Sequence, residues 1–125
     1  MPRVLIADDE DSMRSLVARA IAMDGHETVT AQDGAEALEI LIREKGAFDL
    51  LLTDIQMPVM DGIALALSAK RDFPDLTILL MTGYAAQRER ASNLNAIAHD
   101  VISKPFSVAD IRTAVADALA SRNAP

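Results

Sequence analysis

Leu50-Leu51-Leu52-Thr53-Asp54 is the stretch on which the reading of this chain turns. Three aliphatic residues follow one another with no polar alternation, and a hydroxyl and an acid close the run. A strand of that kind is covered on both faces, as in a parallel sheet held between two layers of helices. The same form recurs outward along the chain, at Val4 to Ala7, Leu76 to Met81 and Val101 to Ile102, with a weaker run at Thr28 to Ala31. Between the runs the apolar spacing turns helical. Met13, Leu16, Val17, Ala20 and Ile21 make one stripe; Leu38, Leu41 and Ile42 a second; Val108, Ile111, Val115 and Leu119 a third. Asp11 or Ser12 can cap the first helix and Gly25 can end it. Asp33-Gly34 reads as the turn before the second helix and Gly46 as its stop, and Ser107, just after Pro105, can cap the last. A fourth helical segment is expected over 85–98, where Asn93 and Asn95 and a poor apolar stripe leave an irregular segment as the alternative. Strand then helix, repeated with right-handed crossovers, gives an α/β fold: a doubly wound, five-stranded parallel sheet with helices on both faces.

The chain is 125 residues long, which fits one domain spanning 1–125 with its core at about 2–121. With three Phe, one Tyr and no Trp, that core must be aliphatic. No apolar run approaches the roughly 20 residues of a membrane helix. The opening Met-Pro-Arg-Val-Leu-Ile-Ala-Asp-Asp-Glu-Asp meets its acids too soon for a signal peptide, so a cytoplasmic protein with no membrane contact is expected. The absence of Cys excludes disulfides and thiolate chemistry, and two His argue against a His-rich metal site. The net charge of -7 argues against nucleic acid as a partner. His26 and His99 read as loop residues, and Met13, Met23 and Met81 as core or helix packing.

In such a sheet ligands bind beyond the carboxyl ends of the strands. There the first run delivers Asp8, Asp9 and Glu10, the third Thr53 and Asp54, the fourth Thr82 and Gly83, and the fifth Ser103, Lys104 and Pro105. Singly, each has an ordinary structural reading as a cap or a loop residue; together they converge. Two carboxylates about 4 Å apart repel by roughly 4 kcal/mol at an effective dielectric near 20. Three need compensation, which an all-oxygen site finds in Mg²⁺, with Lys104 as a fixed cation. A carboxylate flanked by Mg²⁺, an ammonium and a hydroxyl is arranged for phosphoryl transfer, as nucleophile.

The motifs Val4 to Asp11, Leu50 to Gly62, Leu79 to Gly83 and Val101 to Phe106 resemble those of the receiver domains of bacterial two-component response regulators, across nearly the whole chain. The resemblance implies the flavodoxin-like strand order 2-1-3-4-5. It implies Asp54 as phosphoacceptor, taking its phosphoryl group from a histidine kinase or a histidine phosphotransfer protein. Asp9, Asp54 and the main-chain carbonyl of Gln56 would ligate Mg²⁺, with Asp8 acting through a metal-bound water. Thr82 and Lys104 would each hold a phosphoryl oxygen, and the Lys104-Pro105 bond would be cis. The chain departs from the pattern at Val101, where the family often places a switch aromatic; Tyr84 is the substitute candidate. The Gly-containing turn before the fifth strand is replaced by Asn95 to His99. The expected function is a phosphorelay receiver whose phosphorylation switches the surface formed by the fourth helical segment, the fifth strand and the last helix, and so controls a protein partner not named by the sequence. No enzyme activity beyond self-phosphorylation and self-dephosphorylation is expected. The alternative is a small haloacid-dehalogenase-like aspartyl-nucleophile phosphatase, faintly echoed by Asp8 and Glu10. Flavin or nucleotide binding fails because the first loop is acidic. The TGYAA and ISKPF stretches are similar to small stand-alone receivers of alphaproteobacteria, including those that gate substrate delivery to an ATP-dependent protease, so a stand-alone receiver is expected.

Overall fold

The computed structural model describes residues 1–83 and 97–122. In chain order the elements are β1 (Arg3–Ala7), α1 (Asp11–Ala22), β2 (Glu27–Ala31), α2 (Gly34–Arg43), β3 (Leu50–Asp54), α3 (Gly62–Asp72), β4 (Thr77–Thr82), β5 (Asp100–Ser103) and α4 (Val108–Arg122). Tyr84 and most of the fourth helical segment expected from the sequence lie outside the described residues.

All five strands pair in parallel in the order β2-β1-β3-β4-β5. β3, at the centre, is buried at every position, and β1 and β4 at all but their first. These are the continuous apolar runs of the sequence. β2 and β5 form the two edges and are partly exposed, which is why their runs are weak or short. Alternate strand residues point to opposite faces. Leu5, Leu51, Ile78 and Leu80 pack with α2 and α3 through Leu41, Leu65 and Ala66. Val4, Ile6, Leu52 and Leu79 pack with α1 and α4 through Val17, Ile21, Ile111 and Val115. The sheet therefore separates two aliphatic cores.

Helix boundaries follow local chemistry. Asp33 caps α2 by accepting from Glu36 N at 2.8 Å, and Asp61 caps α3 by accepting from Ala64 N at 2.8 Å. Ser107 and Asp110 exchange bonds at α4, with Asp110 N donating to Ser107 Oγ at 3.0 Å and Ser107 N to Asp110 Oδ2 at 2.9 Å. α1 departs from expectation: neither Asp11 nor Ser12 caps it, and its N-cap is Glu10, whose side chain accepts from Ser12 Oγ and makes no capping bond to the helix backbone. The chain has already been turned there by Asp8, whose Oδ1 accepts from Glu10 N at 3.0 Å. α3 shows no clean stripe in sequence, because Ile63, Leu65, Ala66 and Ala69 are buried while Leu67 is half exposed. Met23 is a correction: lying just past α1, it is 63% exposed and packs nothing away. His26 lies in a loop as expected, but it is partly buried rather than on the solvent side, and its Nδ1 is shielded with no hydrogen-bond partner among the described residues. His99 is tied down by Nε2, 2.9 Å from the Asp117 carboxylate on α4.

Candidate functional site

The strand order makes a switch point between β1 and β3: the chain leaves β1 toward β2 on one side and returns as β3 on the other. Asp8 and Asp9 follow β1, and Asp54 is the last residue of β3. Carboxylate oxygens of Asp8, Asp9 and Asp54 lie within 4.8 Å of one another. Asp8 is fully buried and Asp54 nearly so, while Asp9 is exposed. β5 supplies the cation: Lys104 Nζ lies 3.3 Å from Asp54 Oδ1 and 3.8 Å from Asp8 Oδ2. Its main-chain N donates to Thr82 O at 2.7 Å, so the end of β5 is pinned to the end of β4. Thr82 is buried and stands beside Ser103 in register, while β3 pairs with β4 at Asp54 and Met81. The Lys104-Pro105 peptide is cis, as the resemblance implies. Gln56 is exposed in the loop two residues past Asp54, and Tyr84 falls outside the described residues.

Two features around the acids do not stand out in the sequence. Arg14 Nη1 donates to the main-chain oxygen of Asp8 at 2.9 Å, and its guanidinium also pairs with Asp11. The only trace in sequence is an acid and a base spaced i, i+3. Gly62 opens α3 directly against β3: its N donates to Ile55 O at 2.7 Å, and a Cβ there would sit 2.0 Å from Asp54 O. Val59, between them, holds φ 70° with its side chain 85% exposed.

The electrostatics are those of a pocket short of positive charge. Burial pushes the Asp54 carboxyl up from the ordinary 3.8 to about 6; Lys104 opposes that rise and the neighbouring Asp8 adds to it. Burial likewise raises Asp8, against the Glu10 N–H bond and Lys104, which lower it. Asp8 Oδ2 is buried and accepts no hydrogen bond among the described residues. Among the described residues one ammonium faces three carboxylates and a buried carboxylate oxygen is left over, which fits a divalent cation with oxygen preference.

The response regulator receiver domain profile matches residues 4–116. The chain belongs to the response regulator receiver family. It is 40% identical over 111 residues to the response regulator receiver protein CpdR of Brucella abortus, covering 89% of this chain and 91% of CpdR. It also matches longer mycobacterial response regulators, of which it spans about half the length. The CheY-like receiver domain of Methanospirillum hungatei superposes with a TM-score of 0.88 at 29% identity, over 98% of this chain and 96% of that one. The response regulator TrrA of Thermotoga maritima, solved in complex with Mg(2+)-BeF, superposes with a TM-score of 0.83 at 31% identity, over 94% and 98%. Receivers are signalling modules rather than metabolic catalysts, and the haloacid-dehalogenase alternative finds no support in these matches. No described helix is long and apolar enough to cross a membrane.

Proposed function

We propose that this receiver accepts a phosphoryl group on Asp54 from a phosphohistidine of a histidine kinase or phosphotransfer protein, and that the acyl phosphate changes a protein-binding surface. The observation that carries the reading is the position of Asp54: at the end of the central strand, with Lys104 3.3 Å away and two further carboxylates within 4.8 Å. Asp8, Asp9, Asp54 and the main-chain carbonyl of Gln56 would hold Mg²⁺. Bound there, the ion supplies charge neutralisation for the oxygens of the transferring group. An Asp54 oxygen forms its bond to phosphorus as the nitrogen–phosphorus bond breaks. The electron pair leaves with the imidazole, which takes up a proton. Lys104 holds one phosphoryl oxygen, and the Thr82 hydroxyl donates to another. The output is a direct protein contact or an onward transfer, in the cytoplasm.

Incubation with Mg²⁺ and acetyl phosphate is expected to label the chain once, at Asp54, with a lasting signal. Steady phosphate release at enzymic rates would overturn the reading. Lys104→Ala is expected to spare Mg²⁺ binding while uncoupling phosphorylation from the surface change, because Lys104, directly after β5, reaches the Asp54 carboxylate at 3.3 Å. Amide chemical shifts of β5 and α4 that respond to phosphorylation equally in that variant and in the wild type would refute the coupling.

A further inference from the structure

A groove of about 510 Å³ runs along the outer strand of the sheet, between β5 and α4. Its floor is apolar and half-buried: Ile102, Phe106 and Ala114, with Val101 lining it from a strand position whose side chain packs against the opposite core. Its rim is acidic, with Asp100 at the start of β5 and Asp110 and Asp117 along α4, all three exposed. The acids carry local duties that leave their charge facing outward. Asp110 caps α4, Asp117 meets His99, and Asp100 accepts from Val101 N. Among the described residues the nearby cations are turned elsewhere: Lys104 reaches into the acidic pocket, and Arg112 pairs bidentately with Asp24 on the far flank of α4. No described Lys or Arg neutralises the rim.

We infer that this groove seats a basic amphipathic helix of the partner protein. The inference rests on the proposed function, whose responding surface includes β5 and α4, and adds the chemistry of what binds there. The argument is charge complementarity over an apolar floor. Asp110 and Asp117 are seven residues apart on one helix, which is about 10.5 Å along its axis. A partner helix lying along α4 meets them with cations spaced i and i+7, and presents the apolar residues at i+3 and i+4 to Ile102, Phe106 and Ala114. An acidic helix, nucleic acid or an anionic lipid surface would be repelled from the same rim. The groove is also wired to the pocket. The strand that forms one wall ends at Ser103, Lys104 comes next, and Phe106 follows two residues after it.

The test uses the full chain, isotope-labelled, with Mg²⁺ and beryllofluoride as the phosphoryl mimic. The probes are two synthetic helical peptides, identical but for Lys or Glu at i and i+7, with Leu at i+3 and i+4. The Lys peptide is expected to shift the amides of Val101, Ile102, Phe106 and Ala114, and the Glu peptide to leave them in place. Asp110→Asn with Asp117→Asn keeps the capping oxygens and the His99 contact but removes both charges, and is expected to weaken the Lys peptide at least about tenfold. Asp72→Asn with Asp75→Asn makes the same change in net charge on another face and is expected to alter affinity less than about twofold. Equal weakening by the two pairs, shifts outside the groove, or self-association of the chain abolished by the Asp110/Asp117 pair would overturn the inference. Acetyl phosphate labelling of the same samples separates the two readings. Lost labelling in the wild type sinks the phosphoacceptor reading, whereas intact labelling with a silent groove sinks only this one.

Discussion

Asp54→Asn is expected to abolish labelling by acetyl phosphate and, in the same molecule, to raise stability by about 2 kcal/mol at pH 8 in magnesium-free buffer. An amide has no carboxylate oxygen to attack phosphorus, so the first effect is complete; residual labelling would reassign the acceptor. The second effect comes from burial. In the folded chain the Asp54 carboxyl titrates at about 6, against an ordinary 3.8. The folded state thus holds its proton more tightly than the unfolded state. Below pH 4 both states carry the proton and the ionisation penalty vanishes. As pH rises through 6 the wild type must ionise a buried acid, a cost of about 3 kcal/mol that is complete above that range. Asn does not ionise. It gives back part of the gain by leaving Lys104, among the described residues, with Asp8 as its ion-pair partner 3.8 Å away, and about 2 kcal/mol remains. Urea midpoints measured from pH 4.5 to 8 check this, and a difference that does not grow with pH would refute burial as the cause. Added Mg²⁺ should stabilise the wild type by mass action and narrow the gap.

Gly62→Ala is expected to cost about 3 kcal/mol or more and to blunt Mg²⁺ binding. The new Cβ would lie 2.0 Å from Asp54 O, 2.8 Å from Asp54 C and 2.9 Å from Ile55 Cα. All three are main-chain atoms, so no side chain can swing aside. Either α3 retreats, or the end of β3 moves and carries the Asp54 carboxylate away from Asp8 and Asp9. Gly25→Ala is the control: nothing lies within 4 Å of its Cβ, and only its φ of 82° is penalised, at about 1 kcal/mol. Chemical unfolding with Mg²⁺ titration should show a larger loss at Gly62 than at Gly25 and a metal defect at Gly62 alone. Equal losses would mean that close approach is not what matters there.

Most of the fold was legible because interior strands carry a compositional signature. Val4 to Ala7, Leu50 to Leu52 and Leu76 to Met81 are continuous because β1, β3 and β4 have helices on both faces. The edge strands were fainter for the opposite reason, and α3 gave no stripe because Leu67 faces solvent amid an otherwise apolar segment. Strand order could not come from periodicity, which says nothing about neighbours; it came from the resemblance. The site was legible as a set of strand ends, and the structure brings Asp8, Asp9, Asp54 and Lys104 together there. The cap of α1 was misread because Asp8 turns the chain first, through a bond that spacing alone does not reveal. The support of Arg14 on the Asp8 carbonyl and the contact of Gly62 with the Asp54 carbonyl were hidden because both end on main-chain atoms, which leave no residue type to read.

The partition of the interior by the sheet has an evolutionary corollary. The aliphatic layer beneath α2 and α3 and the one beneath α1 and α4 share strands but draw on opposite sides of them. A lineage could redecorate one flank to court a new associate while the other drifts on its own schedule. The shared rim, where the strand tips meet, alone stays hostage to both.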